Sequence, residues 1–243
     1  MSDAAGPRPG RTVVAMPTAI VTGASRGLGL ALARELARDG WRLIVDARGA
    51  EALERTRAEL SLQTDVVALR GDIGDDAHRR ELVAAAGDRL DALVNNASVL
   101  GPSPQPSLAA YPLAELERVY AVNVLAPLAL VQLALPLLPR GGCIVNVTSD
   151  AAMEAYEGWG GYGSSKAALE QIGNVLRVEH PELRVYTFDP GDMRTQMHQE
   201  AFPGEDISDR PEPEESVPAL MALLEGDLRS GRYRASELVP AEA

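Results

Sequence analysis

The sequence predicts an α/β fold in a single domain, a doubly wound parallel β-sheet with helices on both faces. Two observations predict it. Short runs rich in Val, Ile and Leu alternate along the chain with longer segments of helical periodicity. The first such run passes through a glycine-rich turn into an amphipathic helix, the context in which a glycine triplet holds a dinucleotide. At 243 residues, nearly half of them hydrophobic, the chain has enough apolar side chain for one substantial core.

Residues 1–16 are rich in Gly, Pro, Ala and Arg and read as a disordered extension, so the domain is expected to run over 17–243. Thr18-Ala-Ile-Val-Thr22 reads as the first strand. It leads through Gly23-Ala-Ser-Arg-Gly27-Leu-Gly29 into a helix from Leu28 to Asp39, closed by Gly40. Leu28, Leu32 and Leu36 mark its apolar face. Further strands are expected at Trp41–Val45, Val66–Leu69 and Leu90–Val94, with helices at Ala50–Leu60 and Asp75–Ala86 between them. A Pro-rich loop spans Gly101 to Pro112, and a helical region runs from Leu113 to Leu138. Cys143–Thr148 and Arg184–Phe188 complete the predicted sheet, with a last strand near Tyr233. The segment from about 191 to 213 is long, polar and proline-containing, the character of a functional lid. In an open parallel sheet ligands sit beyond the C-terminal strand ends, so Asp72, Asn96, Ser149 and Pro190-Gly191 are expected on one rim.

Tyr162-Gly-Ser-Ser-Lys166 carries the clearest chemistry. Four residues apart on a helix, the phenol and the amine lie on one face. An ammonium beside a phenol favours the phenolate and should lower its pKa. Lys166 is the only lysine in the chain; every other cation of this kind is arginine. Arg and Lys are not interchangeable where a compact, pKa-shifting charge is needed, which marks Lys166 as functional. Tyr156 lacks such an amine, because residue 160 is Gly.

Composition narrows the partners. A formal charge of -12 argues against nucleic acid and anionic membranes. The apolar run Leu125 to Pro139 is broken by Pro127, Gln132 and Pro136, too short and interrupted to span a bilayer. No signal peptide is visible, and a cytoplasmic protein is expected. One cysteine, Cys143, allows no internal disulfide, and His78, His180 and His198 show no metal-ligand spacing, so no metal is expected.

Taken together these motifs resemble the classical short-chain dehydrogenase/reductase family over roughly Thr18 to Thr195. Thr22-Gly23-Ala-Ser-Arg-Gly27-Leu-Gly29 matches its glycine motif and Asn95-Asn96-Ala97-Ser98 its Asn-Asn-Ala-Gly element, with Ser98 where Gly is usual. The resemblance implies a Rossmann-like fold and a catalytic tetrad of Asn123, Ser149, Tyr162 and Lys166. It implies cofactor contacts from Thr22, Gly23, Ser25, Arg26, Gly27, Leu28 and Gly29. Asp72 and Ile73 would meet the adenine, and Asn96 and Ala97 would line the cofactor. Tyr162 and Lys166 would reach the nicotinamide ribose, and Pro190, Gly191 and Thr195 the carboxamide. It also implies a homo-oligomer. The family often ends in a strand followed by Asp-Gly-Gly, used in tetramer packing; this chain has Gly231-Arg-Tyr-Arg-Ala-Ser-Glu-Leu-Val instead, which leaves homodimer or tetramer open.

The implied reaction is hydride transfer between a nicotinamide and a small carbonyl or alcohol substrate. Tyr162 would exchange the proton, Ser149 would bond the same oxygen, and Asn123 would support a water relay. NAD-dependent relatives place an acid at the position of Ala47. Here Arg48 follows it and Arg26 sits in the glycine turn, so two guanidiniums are available for a 2′-phosphate and NADP(H) is expected over NAD(H). Asp46, one residue early, keeps NAD(H) open. Pro127, four residues after Asn123, cannot donate to the Asn123 carbonyl, so an irregular helix is expected there. A non-catalytic dinucleotide sensor is the alternative from another class, which the intact tetrad disfavours. A sugar-nucleotide epimerase ranks lower, because its glycine motif is spaced differently.

Overall fold

The computed structural model describes residues 16–238. The extension read at 1–16 lies almost wholly outside the described residues. Seven strands form one sheet: β1 (Thr18–Val21), β2 (Arg42–Ala47), β3 (Val66–Arg70), β4 (Ala92–Asn95), β5 (Cys143–Val147), β6 (Arg184–Asp189) and β7 (Gly231–Arg234). Their order is β3-β2-β1-β4-β5-β6-β7 and every pairing is parallel. The order reverses between β1 and β4, which opens a crevice at their carboxyl ends.

Both faces are covered, so the strands are apolar on both sides and successive residues alternate between two cores. Val21, Val45, Val94, Val145 and Phe188 face α1 (Gly27–Arg38) and α8 (Val217–Glu225), meeting Leu32, Leu36, Leu220 and Leu223. Ile20, Ile44, Leu93, Ile144 and Val185 face the opposite layer. That layer holds Leu82 of α3 (Asp76–Ala85), Leu130 of α5 (Ala126–Ala134) and Leu176 of α6 (Gly160–Glu179). Between β2 and β3 runs α2 (Ala50–Leu60). Cys143 is fully buried and free, and burial pushes its thiol up to about 12.

The irregular helix expected beside Pro127 is present, and two other features differ from the sequence reading. The helical region is not uniform: α4 (Leu113–Tyr120) and α5 flank a single π turn, Ala121–Leu125, with Asn123 at its centre. The irregularity falls where Pro127 withholds an N–H. Residues Leu113–Leu137 are also long and apolar enough, by length and composition, to cross a membrane, with half of the window buried in this fold. Pro127 and Pro136 do not interrupt them as expected, because each sits in the first turn of a helical piece, where a missing N–H is tolerated. Finally, the polar segment after β6 contains a short helix, α7 (Gln196–Ala201), started by the Thr195 hydroxyl, which accepts from the His198 N–H at 3.2 Å.

Candidate active site

The crevice above β1 and β4 is a cleft of about 920 Å³. One end is built by the glycine turn. Gly23 has φ +67° and Gly27 φ +54°, values that only glycine adopts readily. A Cβ on Gly29 would lie 2.5 Å from the Asn96 amide nitrogen and 2.7 Å from the Gly23 carbonyl oxygen, so glycine is what lets α1 start this close to β4. Thr22 and Asn96 stitch the two strand ends together. The Thr22 hydroxyl accepts from the Asn96 and Ala97 N–H groups at 3.0 and 2.9 Å, and the Asn96 amide donates to the Thr22 carbonyl at 2.8 Å.

Most residues expected to hold a cofactor line this cleft. Gly23, Ser25, Arg26, Gly27 and Leu28 lie on the turn, with Arg48 after β2 and Asp72 and Ile73 after β3. Asn96 and Ala97 form its floor, and Pro190, Gly191 and Thr195 close it from the β6 side. Thr22, Gly29 and Asn123 sit behind this lining. They brace the cleft, because their polar atoms or missing Cβ are used in packing. The Arg26 guanidinium reaches Gln196 at the start of α7, joining the turn to the segment after β6. Arg55 of α2, which the sequence did not single out, also lines the cleft near Arg48.

The other end gathers Ser149, Tyr162 and Lys166. Gly163 brings α6 against the Ser149 turn; a Cβ there would lie 2.6 Å from the Ala151 carbonyl oxygen. Lys166 is 2 % exposed. Its Nζ donates to the Val147 carbonyl at 2.9 Å and lies 5.4 Å from the centroid of the Tyr162 ring. Burial lowers its pKa to about 8. Tyr162 goes the opposite way from the sequence expectation. Burial pushes its phenol well above the ordinary range, the Ser98 and Ser149 hydroxyls oppose this, and the Asp189 and Asp150 carboxylates add to it. An amine over the ring does not overcome the loss of water around the phenol.

Asn123 acts as a clamp. Its side-chain oxygen accepts from the Ser98 hydroxyl and the Val99 N–H at 3.1 and 2.9 Å; its amide donates to the Val99 carbonyl and the Ser165 hydroxyl at 2.9 and 3.0 Å. It thereby fixes the chain after β4 to α6. Ser98 donates to Asn123 and its hydroxyl opposes the rise of the Tyr162 phenol, so its departure from glycine adds a hydroxyl to the site. The Ser149 hydroxyl donates to Asp150 at 2.8 Å. Burial raises the Asp150 carboxyl, but bonds from Ser149, Tyr156 and the Ala151 N–H outweigh it and hold the pKa below the ordinary value. Trp159 stands one turn before Tyr162, its ring 5.9 Å from the phenol ring and 5.6 Å from Phe202 of the long segment. Leu100, Met197 and Ala201 complete this wall. Its signals in the sequence are the apolar Met197 and Phe202 within the long polar segment and the i, i+3 spacing of Trp159 and Tyr162.

Opposite the chemistry, a polar network locks the last strand. Arg232 of β7 donates to Glu170 at 3.0 Å and to Asp189 at 2.9 Å, and Thr148 donates to Glu170 at 2.8 Å. Asp189 also accepts from the Gly191 N–H at 3.1 Å, so β7 helps set the Pro190-Gly191 turn.

A doubly wound parallel sheet whose strand ends bring a glycine turn, a serine, a tyrosine and a lysine into one cleft defines a dinucleotide-dependent oxidoreductase. Residues 17–206 match the family described as short chain dehydrogenase, and the chain belongs to that family. Among its relatives is a rhamnolipids biosynthesis 3-oxoacyl-[acyl-carrier-protein] reductase of Pseudomonas aeruginosa, 39% identical over 171 residues, 66% of each chain. A sepiapterin reductase of Mus musculus is 34% identical over 199 residues, 74% of this chain and 76% of that one. A short chain dehydrogenase structure from Shigella flexneri, complexed with NADP, superposes with a TM-score of 0.82 at 29% identity, covering 90% of this chain and 96% of the other.

Proposed function

We propose that this enzyme uses NADP(H) to interconvert a carbonyl compound and its alcohol. The observation that carries the reading is the meeting of Tyr162, Ser149 and Lys166 at one end of the cleft that begins at the glycine turn. The cleft fits a dinucleotide: its turn glycines leave backbone N–H groups at the start of α1, where a pyrophosphate is favoured. Arg26, Arg48 and Arg55 supply cations where a 2′-phosphate would sit. NADP in a related structure supports the same choice.

When bound, the nicotinamide supplies or accepts the hydride. The protein handles the proton. Burial keeps Tyr162 protonated near neutral pH, so the resting pocket holds the proton that a carbonyl oxygen takes as it becomes a hydroxyl. Ser149 bonds the same oxygen, exchanging its present bond to Asp150. Lys166, at about 8, gains or loses a proton near neutral pH and is the group placed to reload the phenol. The wall of Leu100, Trp159, Met197 and Ala201 favours an apolar substituent on the carbonyl. Reductase names among the relatives support the carbonyl direction.

The test is loss of NADPH absorbance against a panel of ketones and aldehydes graded in size and charge. Turnover should be highest with apolar, aromatic or branched ketones. Tyr162→Phe should abolish turnover and leave NADPH affinity within about twofold, since the ring and its packing remain. A Tyr162→Phe variant that still turns over would refute the proton assignment.

A further inference from the structure

Asp46 is the penultimate residue of β2, followed by Ala47 and Arg48, at the edge of the cleft where the adenosine ribose would lie. A free carboxylate there would accept ribose hydroxyls and repel a 2′-phosphate. It is not free. Asp46 is 2 % exposed and faces inward. One oxygen accepts from the Gly23 N–H at 2.7 Å, and the other lies 3.0 Å from Nε2 of His78. The Asp46 carbonyl also accepts from the Ala24 N–H at 3.0 Å, so the residue is pinned under the glycine turn.

His78 comes from α3, 32 residues later in the chain, and is itself 5 % exposed. The fold makes room for its ring. A Cβ on Gly71 would lie 2.2 Å from Nδ1 of His78, so residue 71 must be glycine for the imidazole to reach Asp46. The Nδ1 atom is buried without a partner, so Asp46 is the only hydrogen-bonding partner of the ring among the described residues. Its bond to Asp46 raises the His78 pKa against the effect of burial, and the carboxylates of Glu81 and Asp75 act in the same direction. In either protonation state Nε2–H can donate to Asp46.

We infer that His78 is a specificity-determining positioning residue: it holds the Asp46 carboxylate against Gly23 and so keeps a negative charge out of the 2′-phosphate region beside Arg48. The inference rests on the NADP(H) reading above. Without His78, one carboxylate oxygen would be left buried and unpaired, and turning toward the open cleft would relieve it. The residue would then act on the two cofactors differently, because only one carries the extra phosphate.

The experiment compares NADPH and NADH affinities, by nucleotide fluorescence titration, in wild-type protein and in His78→Leu, His78→Gln and His78→Leu/Asp46→Asn. His78→Leu should weaken NADPH by about tenfold and leave NADH unchanged or improved, as a like charge near the phosphate requires. His78→Gln, which keeps an N–H donor, should stay near wild type. The double variant, which removes the charge, should recover NADPH preference. Equal weakening of both cofactors in His78→Leu would reduce His78 to a brace for the turn and overturn the inference, as would an unchanged ratio or no recovery in the double variant. If His78→Leu does not fold, Asp46→Asn alone decides. A carboxylate already held away predicts an unchanged NADPH-to-NADH ratio, and a marked rise in NADPH preference refutes the inference. Wild-type protein without NADPH preference would instead sink the cofactor reading itself.

Discussion

Replacing Lys166 by methionine should abolish turnover and yet make the unliganded protein more stable. Lys166 is 2 % exposed, and burial brings its pKa from 10.5 to about 8. Each pKa unit corresponds to about 1.4 kcal/mol, so holding the ammonium out of water destabilises the fold by about 3 kcal/mol at neutral pH. Methionine removes that penalty in nearly the same volume. It also removes the bond to the Val147 carbonyl, a loss of about 1–2 kcal/mol. The net expectation is a gain of about 1–2 kcal/mol, or roughly 2–8 °C in Tm for a domain of this size. The pH dependence isolates the cause. Below pH 8 both folded and unfolded chains carry the ammonium, and the folded state bears the full penalty. Between about 8 and 10.5 the folded protein sheds the proton before the unfolded one does, so the unfolded state binds more protons and stability rises with pH. Burial of Cys143 works against this above pH 9, because its thiol stays protonated in the fold up to about 12. The difference between wild type and Lys166→Met cancels that contribution. Since Lys166 is the only lysine, no other ammonium of this kind confuses the comparison. Urea or thermal melts from pH 6.5 to 10 should show the variant's advantage shrinking above pH 8. A variant less stable than wild type at pH 7, or an advantage independent of pH, would refute the argument from desolvation.

Other expected outcomes follow from single contacts. Asn123→Ala should destabilise the protein by about 3 kcal/mol in denaturant melts, because the Val99 N–H and carbonyl both lose a buried partner; a change under about 1 kcal/mol would contradict the clamp. Arg48→Ala should weaken NADPH selectively and lower its preference over NADH, measured as a ratio of kcat/KM values; an unchanged ratio would remove Arg48 from the 2′-phosphate site. Pro127→Ala restores an N–H beside the π turn around Asn123. If that irregularity serves proton return, kcat should fall more than NADPH affinity, whereas an unchanged kcat would assign Pro127 to helix packing alone.

By itself, the sequence determined what depends on neighbours along the chain. The alternation of strand and helix, the turn at Gly23–Gly29, and the shared face of Tyr162 and Lys166 are all local patterns, and the parallel sheet follows from their order. It also placed the irregularity near Asn123, because a proline's missing N–H acts four or five residues away. Only the tertiary structure decided which partner each polar group takes. Asp46 read as a possible ribose ligand until His78, from another helix, and Gly23, from the turn, were seen to occupy both of its oxygens. Tyr162 read as a phenol lowered by its lysine, yet in the fold it is raised, since desolvation depends on everything packed around the ring. Asn123 read as the support of a water relay, and the fold shows a second task for it: its side chain fastens Val99 to Ser165. In each case the deciding term, burial or a bond to a distant segment, arises only once the sheet is assembled, so no window of the chain contains it.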